Sequence, residues 1–173
     1  TGFIDAMLAA ARRGVKVWLL FDAFGTLGLA SHDTARLSHA NLRLVSFNPF
    51  HLWRLFNVDR LFRDHRKLLV VDGKRAFIGG TGLTDDFDPT VFPHSYWRET
   101  MVEMQGPVVA DWVVSFKQIW KRATRKELPL PESAPVPPAG TLRGRVAISC
   151  VPIHREIKRA FFVHARRARD RVW

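Results

Sequence analysis

One cysteine, Cys150, stands in a chain of 173 residues. That excludes an intramolecular disulfide, removes the Cys-rich zinc clusters and fits a reducing compartment. Nor is there an HExxH or a Cys/His cluster, so no metal and no cofactor is expected. Acidic residues are outnumbered, 16 Asp and Glu against 27 Lys and Arg, leaving a net charge of +11. Such a surplus attracts polyanions, and both nucleic acid and an anionic membrane surface qualify. The excess is concentrated in Lys117 to Lys126 and Arg143 to Arg171, where solvated helix faces account for many of the arginines. Long hydrophobic runs are missing as well. The longest nearly apolar stretch, Val17 to Ala30, is broken by Asp22 and falls short of the ~20 residues a membrane-spanning helix needs.

What is present is enough apolar material, 47% of residues, for one domain with a real core or one domain plus part of another. Helical spacing of Phe3, Met7, Ala10 and Ala11 predicts a helix over Phe3 to Arg13, stopped by Gly14. A strand over Val15 to Phe21 follows. Ser31 and Asp33 offer N-caps for a helix to about Ala40, and Leu42 to Phe47 alternates as the next strand. This order predicts an α/β fold. A hairpin, a strand around Trp97 to Met104 and a helix from Pro107 to about Arg125 complete the unit. Pro129 to Gly140, with its many prolines, reads as a linker, followed by a short strand at Arg145 to Ser149 and a basic helix over Arg155 to Asp170. The aromatic and basic stretch Phe47 to Asn57 is suited either to a lipid interface or to core packing of a crossover loop.

The hairpin carries the chemistry. His65-Arg66-Lys67-Leu68-Leu69-Val70-Val71 ends at Asp72-Gly73, a tight-turn dipeptide, and the return strand ends at Gly79-Gly80. Strand alternation places His65 and Lys67 on one face, about 7 Å apart. Asp72 has the opposite parity, so it is expected on the other face or closing the turn. A neutral imidazole attacks phosphorus near pH 7, an ammonium balances the non-bridging phosphate oxygens, and glycines let backbone N–H groups approach them. A single His on a strand or a lone Gly-Gly is unremarkable by itself. The conjunction at fixed offsets describes a site for attacking phosphate esters.

These residues resemble the motif of the phospholipase D superfamily, H-x-K-x4-D-x6-G-[GS]-x-N, matched by His65, Lys67, Asp72, Gly79 and Gly80. Gly82 stands where the family has Asn. The flanking Ala11 to Val17, Leu19 to Asp22, Phe24-Gly25-Thr26, Arg63 to Lys67, Trp97 to Thr100 and Gly106-Pro107 narrow the resemblance to the cardiolipin synthase branch. It implies a mixed β-sheet flanked by helices, with His65, Lys67, Asp72 and Glu99 as catalytic residues and Gly79, Gly80 and Thr81 binding the substrate phosphate. Glu99 would orient the imidazole; the alternative for it is a strand surface charge. Two copies of the motif face each other in this family, one His forming a phosphohistidine while the other protonates the leaving alcohol. The substrate implied is an anionic phospholipid met at a membrane surface, with the protein cytoplasmic or peripheral on a bacterial-type cell membrane.

Only one copy is present here. Ala11 to Trp18 and Ala165 to Trp173 nevertheless share a basic helix end running towards a strand, a weak internal repeat. The expected organisation is therefore a near-complete domain over residues 1–128 lacking its opening strand, a linker over 129–141, and the start of a second domain over 142–173. The expected function is phosphatidyl transfer between phospholipids, with the second half-site supplied by the missing part or another chain. A phosphodiesterase or nuclease built by homodimerisation, and an inactive fragment, are the alternatives. Nucleic acid ranks behind lipid as a partner, because a self-sufficient one-motif chain has no use for an unfinished repeat.

Overall fold

Ile4, Leu8 and Ala11 recur at helical spacing and are all buried in α1, Gly2–Arg12. Gly14, at φ 91°, ends the helix: the N–H groups of Gly14 and Val15 return to the carbonyls of Ala11 and Ala10. The computed structural model describes residues 2–49, 62–130, 135–150 and 154–172. β1 (Val17–Asp22) and β2 (Leu42–Phe47) pair in parallel, in register from Val17 opposite Leu42 to Asp22 opposite Phe47. The apolar stripe of α1 packs on this pair around buried Leu37 and Leu42, joined by Val17, Leu19, Phe21 and Leu44.

Between these strands α2 covers only Ser31–Arg36 and is capped by Ala30, with no side-chain hydrogen bond from Ser31 or Asp33 to its end. The expected continuation to Ala40 is overruled by packing. Leu37 turns into the core at 2% exposure, and the Leu42 N–H bonds the His39 carbonyl at 2.9 Å, so the chain must bend early to enter β2.

β3 (Lys67–Val71), β4 (Arg75–Gly79) and β5 (Met101–Gln105) form a three-stranded antiparallel sheet. Asp72 and Gly73 take φ values of 53° and 64°, and the Lys74 N–H closes the turn onto the Val71 carbonyl at 3.0 Å. β5 begins later than Trp97. The Trp97 N–H is held by the Asp86 carbonyl at 2.7 Å, which ties this part of the chain to the loop after β4 rather than to β4 itself. α3 (Val108–Thr124) starts behind Pro107 and ends at Arg125, φ 60°. Its Val109 and Trp112 pack with Ala76 onto Leu68, Val70, Ile78 and Met104.

Both parallel and antiparallel pairing are present in this α/β unit, the first in β1–β2 and the second in the separate β3–β4–β5 sheet. α3 touches β2 as well as β3, β4 and β5 and so spans the division. The described part of the Pro-rich stretch has neither helix nor strand. It lies on the bend at Gly106, φ 88°, where a Cβ would come 3.1 Å from the Ala139 nitrogen. The strand expected at Arg145 to Ser149 is reduced to β6 (Ser149–Cys150), paired with β7 (His154–Arg155), because Val146 packs against the α3 cluster instead. α4 follows as Glu156–Arg167. Of the aromatic stretch, Phe47 is core at 1% exposure; residues 50–61 lie outside the described residues.

Candidate active site

The segment leading into β3 is gripped from the carboxyl ends of both parallel strands. Asp22, the last residue of β1, accepts the Asp64 N–H at Oδ2 (2.8 Å) and the Phe24 N–H at Oδ1 (2.9 Å), with the Arg63 guanidinium 3.4 Å from Oδ1. Asn48, just past β2 at φ 46°, donates from Nδ2 to the Phe62 carbonyl at 2.8 Å, and Arg63 donates to the Asn48 carbonyl at 3.0 Å. Asp64 in turn holds Arg66 through Nε at 2.7 Å, and Arg66 reaches the hydroxyl of Ser115, a buried residue of α3.

Asp64 and Arg66 therefore occupy the side facing α3, and alternation leaves His65 and Lys67 to the other. His65 is exposed, and among the described residues its imidazole makes no hydrogen bond or ion pair. Lys67 Nζ donates to the His65 carbonyl at 3.1 Å. Across the ladder Lys67 stands opposite Gly79, which in turn pairs with Met101.

The two glycines are required by close approach. A Cβ on Gly79 would lie 2.2 Å from the Thr100 carbonyl oxygen, and one on Gly80 would lie 2.2 Å from Glu99 Oε2. Glu99 thus sits beside Gly80 and within the field of Lys67; no hydrogen bond joins it to His65 among the described residues. Burial pulls the Lys67 pKa below its ordinary 10.5, while the negative charges of Asp64 and Glu99 pull the other way. Thr81 follows the glycines, half-buried. Asp72 is elsewhere: exposed in the turn, five residues along β3 from Lys67 and about 17 Å away by the strand rise. The structure brings together His65, Lys67, Gly79, Gly80 and Glu99, and not Asp72.

Asp22, Asp64, Arg66 and Ser115 were given no role by sequence reasoning. The available signal was an acidic residue closing an apolar strand and an Asp/Arg pair alternating with His65 and Lys67. Chemically, the arrangement offers a solvent-accessible imidazole, a partly desolvated ammonium and side-chain-free backbone on one end of a hairpin. This is suited to a phosphodiester. Among the described residues no three of His, Cys, Asp and Glu gather as a metal site would need.

A family model described as cardiolipin synthase, PLD-like domain, matches residues 1–120. The chain is similar to the probable cardiolipin synthase YwiE of Bacillus subtilis, 33% identical over 144 residues, which is 80% of this chain and 28% of that protein. Cardiolipin synthase A of Pseudomonas putida strain W619 is 36% identical over 172 residues, and that of Pseudomonas fluorescens Pf-5 is 34% identical over 169 residues. Both alignments cover 96% of this chain and 35% of the relative. The chain thus spans about a third of the length of these proteins. No solved structure matches it significantly.

Proposed function

The chain belongs to the phospholipase D-like domain family of cardiolipin synthases, and from that premise we propose that it supplies one half of a phosphatidyltransferase site. His65 is one of two reacting imidazoles. In the reaction one imidazole attacks phosphorus, so that an N–P bond forms as the P–O bond to the leaving alcohol breaks, and the other imidazole protonates that alcohol. The second imidazole then removes the proton of the acceptor hydroxyl, whose oxygen displaces the histidine from phosphorus. A glycerol hydroxyl of phosphatidylglycerol as acceptor yields cardiolipin; water in its place yields hydrolysis.

The observation that carries this reading is the pairing of Lys67 with Gly79 directly after His65. On this reading the cation and the Gly79-Gly80 backbone, bordered by Met101 and Glu99, receive the non-bridging oxygens of a phosphate held at His65. Partial desolvation strengthens that cation, since its field is less screened than at a bare surface. Glu99 completes the rim and is read as the group that limits how the ammonium and imidazole are disposed.

The second half-site belongs to a further unit of the same type, for which residues 142–173 are read as the opening. Supporting this, the apolar face of α4 is uncovered at Phe161 and Phe162, whereas α1, with the matching Ala-Arg-Arg end, buries its own stripe. Among the described residues no helix is long and apolar enough to cross a membrane. We place the chain at the surface of an anionic bilayer, reached through its basic residues.

The test is a titration of the purified chain with short-chain phosphatidylglycerol, followed through the His65 imidazole resonances. Lipid should shift them, and Lys67→Ala should weaken the response about tenfold. DNA cleavage by the chain, or a His65 that responds to DNA and not to lipid, would overturn the reading in favour of a nuclease.

A further inference from the structure

The two sheets share no backbone ladder among the described residues; besides α3, which touches both, polar contacts tie the reacting end of β3 to the ends of β1 and β2. At their centre is the Asp22 carboxylate. Only 10% of this side chain is exposed, and both oxygens are used: Oδ1 takes the Phe24 N–H, and Oδ2 takes the N–H of Asp64, the residue before His65. The Arg63 guanidinium lies on the same Oδ1. A hydrogen bond to the backbone, unlike one to a side chain, fixes a peptide plane. The plane fixed is that of the Arg63–Asp64 peptide, which leaves between it and His65 only the φ and ψ of Asp64. The same residue is held from the far side by Arg66, which is anchored on Ser115 of α3. Among the described residues His65 has no side-chain partner of its own, so its place relative to Lys67 and the Gly79-Gly80 bend depends on this backbone clamp.

We propose that Asp22 is a positioning residue for His65, acting through the Asp64 peptide and never touching the phosphate. The inference rests on the reading of His65 as a reacting imidazole. It makes an unusual demand on substitution. Asparagine has nearly the same shape as aspartate but only one acceptor oxygen. Whichever way its amide turns, either the Phe24 or the Asp64 N–H meets an NH2 group, so the isostere should fail to rescue. Asp33 of α2 provides the contrast: its side chain is similarly covered, at 14% exposure, and pairs with Arg36 away from β3.

The experiment compares the full chain with its Asp22→Asn and Asp33→Asn variants by amide hydrogen exchange and by the His65 imidazole response to short-chain phosphatidylglycerol. In Asp22→Asn the Asp64 amide should exchange about tenfold faster and the His65 response should weaken by a similar factor. His39, whose Nδ1 accepts the Asn41 N–H at the start of β2, should keep its resonances. Asp33→Asn should leave both Asp64 exchange and the His65 response unchanged. Unaltered Asp64 exchange and an unaltered His65 response in Asp22→Asn overturn the proposal while leaving the half-site reading intact. A wild-type His65 that ignores the lipid overturns the half-site reading instead, and Asp64 exchange still decides whether the clamp exists. If Asp22→Asn does not fold, the wild type suffices: an Asp64 amide exchanging as fast as an open loop contradicts the clamp, and a strongly protected one supports it.

Discussion

Lys67 and Gly79 face each other across the last pair of the β3–β4 ladder. This couples the one cation of the motif to backbone that has no side chain of its own and is bordered by Met101 and Glu99. Removing the ammonium while keeping the stem, in Lys67→Met, should leave folding close to wild type and weaken binding of short-chain phosphatidylglycerol. Charge-assisted hydrogen bonds are worth about 1.5–3 kcal/mol, which is a loss of roughly 10- to 100-fold. Titration calorimetry checks it.

The lowered pKa of Lys67 makes two opposite pH dependences. Its ordinary value is 10.5 and burial holds the folded value beneath it. Between the two the unfolded chain carries more protons than the folded one, so the stability contributed at this position rises with pH. Phosphate affinity runs the other way, falling as the ammonium is lost, and it should begin to fall below the pH at which a surface lysine titrates. In Lys67→Arg the affinity should be lower at neutral pH but flat across that range, since the guanidinium does not titrate there. Superimposable profiles for wild type and Lys67→Arg would contradict this.

The two motif glycines should fail differently. At Gly79 a Cβ meets the Thr100 backbone oxygen, which can move only if β4 and β5 part; at Gly80 it meets the end of the Glu99 side chain, which can swing away. Gly79→Ala is therefore expected to cost about 1–3 kcal/mol in urea denaturation. Gly80→Ala should fold nearly normally, with the lost affinity for phosphate reporting the displacement of Glu99.

Gly82 occupies the place where the family motif carries Asn. A Cβ there would meet Phe87 at 3.3 Å and Thr84 at 3.9 Å, and the backbone is not in the left-handed region. Gly82→Asn should be tolerated within about 1 kcal/mol and should tighten phosphate binding severalfold, by adding an amide donor. Equal affinity in the variant would show that the amide is not used.

Much of this was legible locally. α1 with its Gly14 stop, β2 and the Asp72-Gly73 hairpin follow from periodicity and turn chemistry within a few residues, and the structure places them within two residues of expectation. The later start of β5 and the early end of α2 were not legible, because Asp86 and Leu37 act through contacts that short-range pattern does not carry. Within the site, His65, Lys67 and the glycines could be found by spacing. Glu99 was visible as an acidic residue, yet its place beside Gly80 depends on where β5 pairs with β4. Asp22 was visible only as a break in an apolar strand. Its partner, Asp64, lies in a different part of the chain, and no periodicity links them.

The most direct measurement replaces the matching third of Pseudomonas putida cardiolipin synthase A with this chain and follows cardiolipin formation from phosphatidylglycerol. The chimera should make cardiolipin, and His65→Ala, with unchanged thermal stability, should reduce the rate by at least about a thousandfold. A folded chimera that makes none, or one whose rate survives His65→Ala, would contradict the assignment of half a phosphatidyltransferase site to this chain.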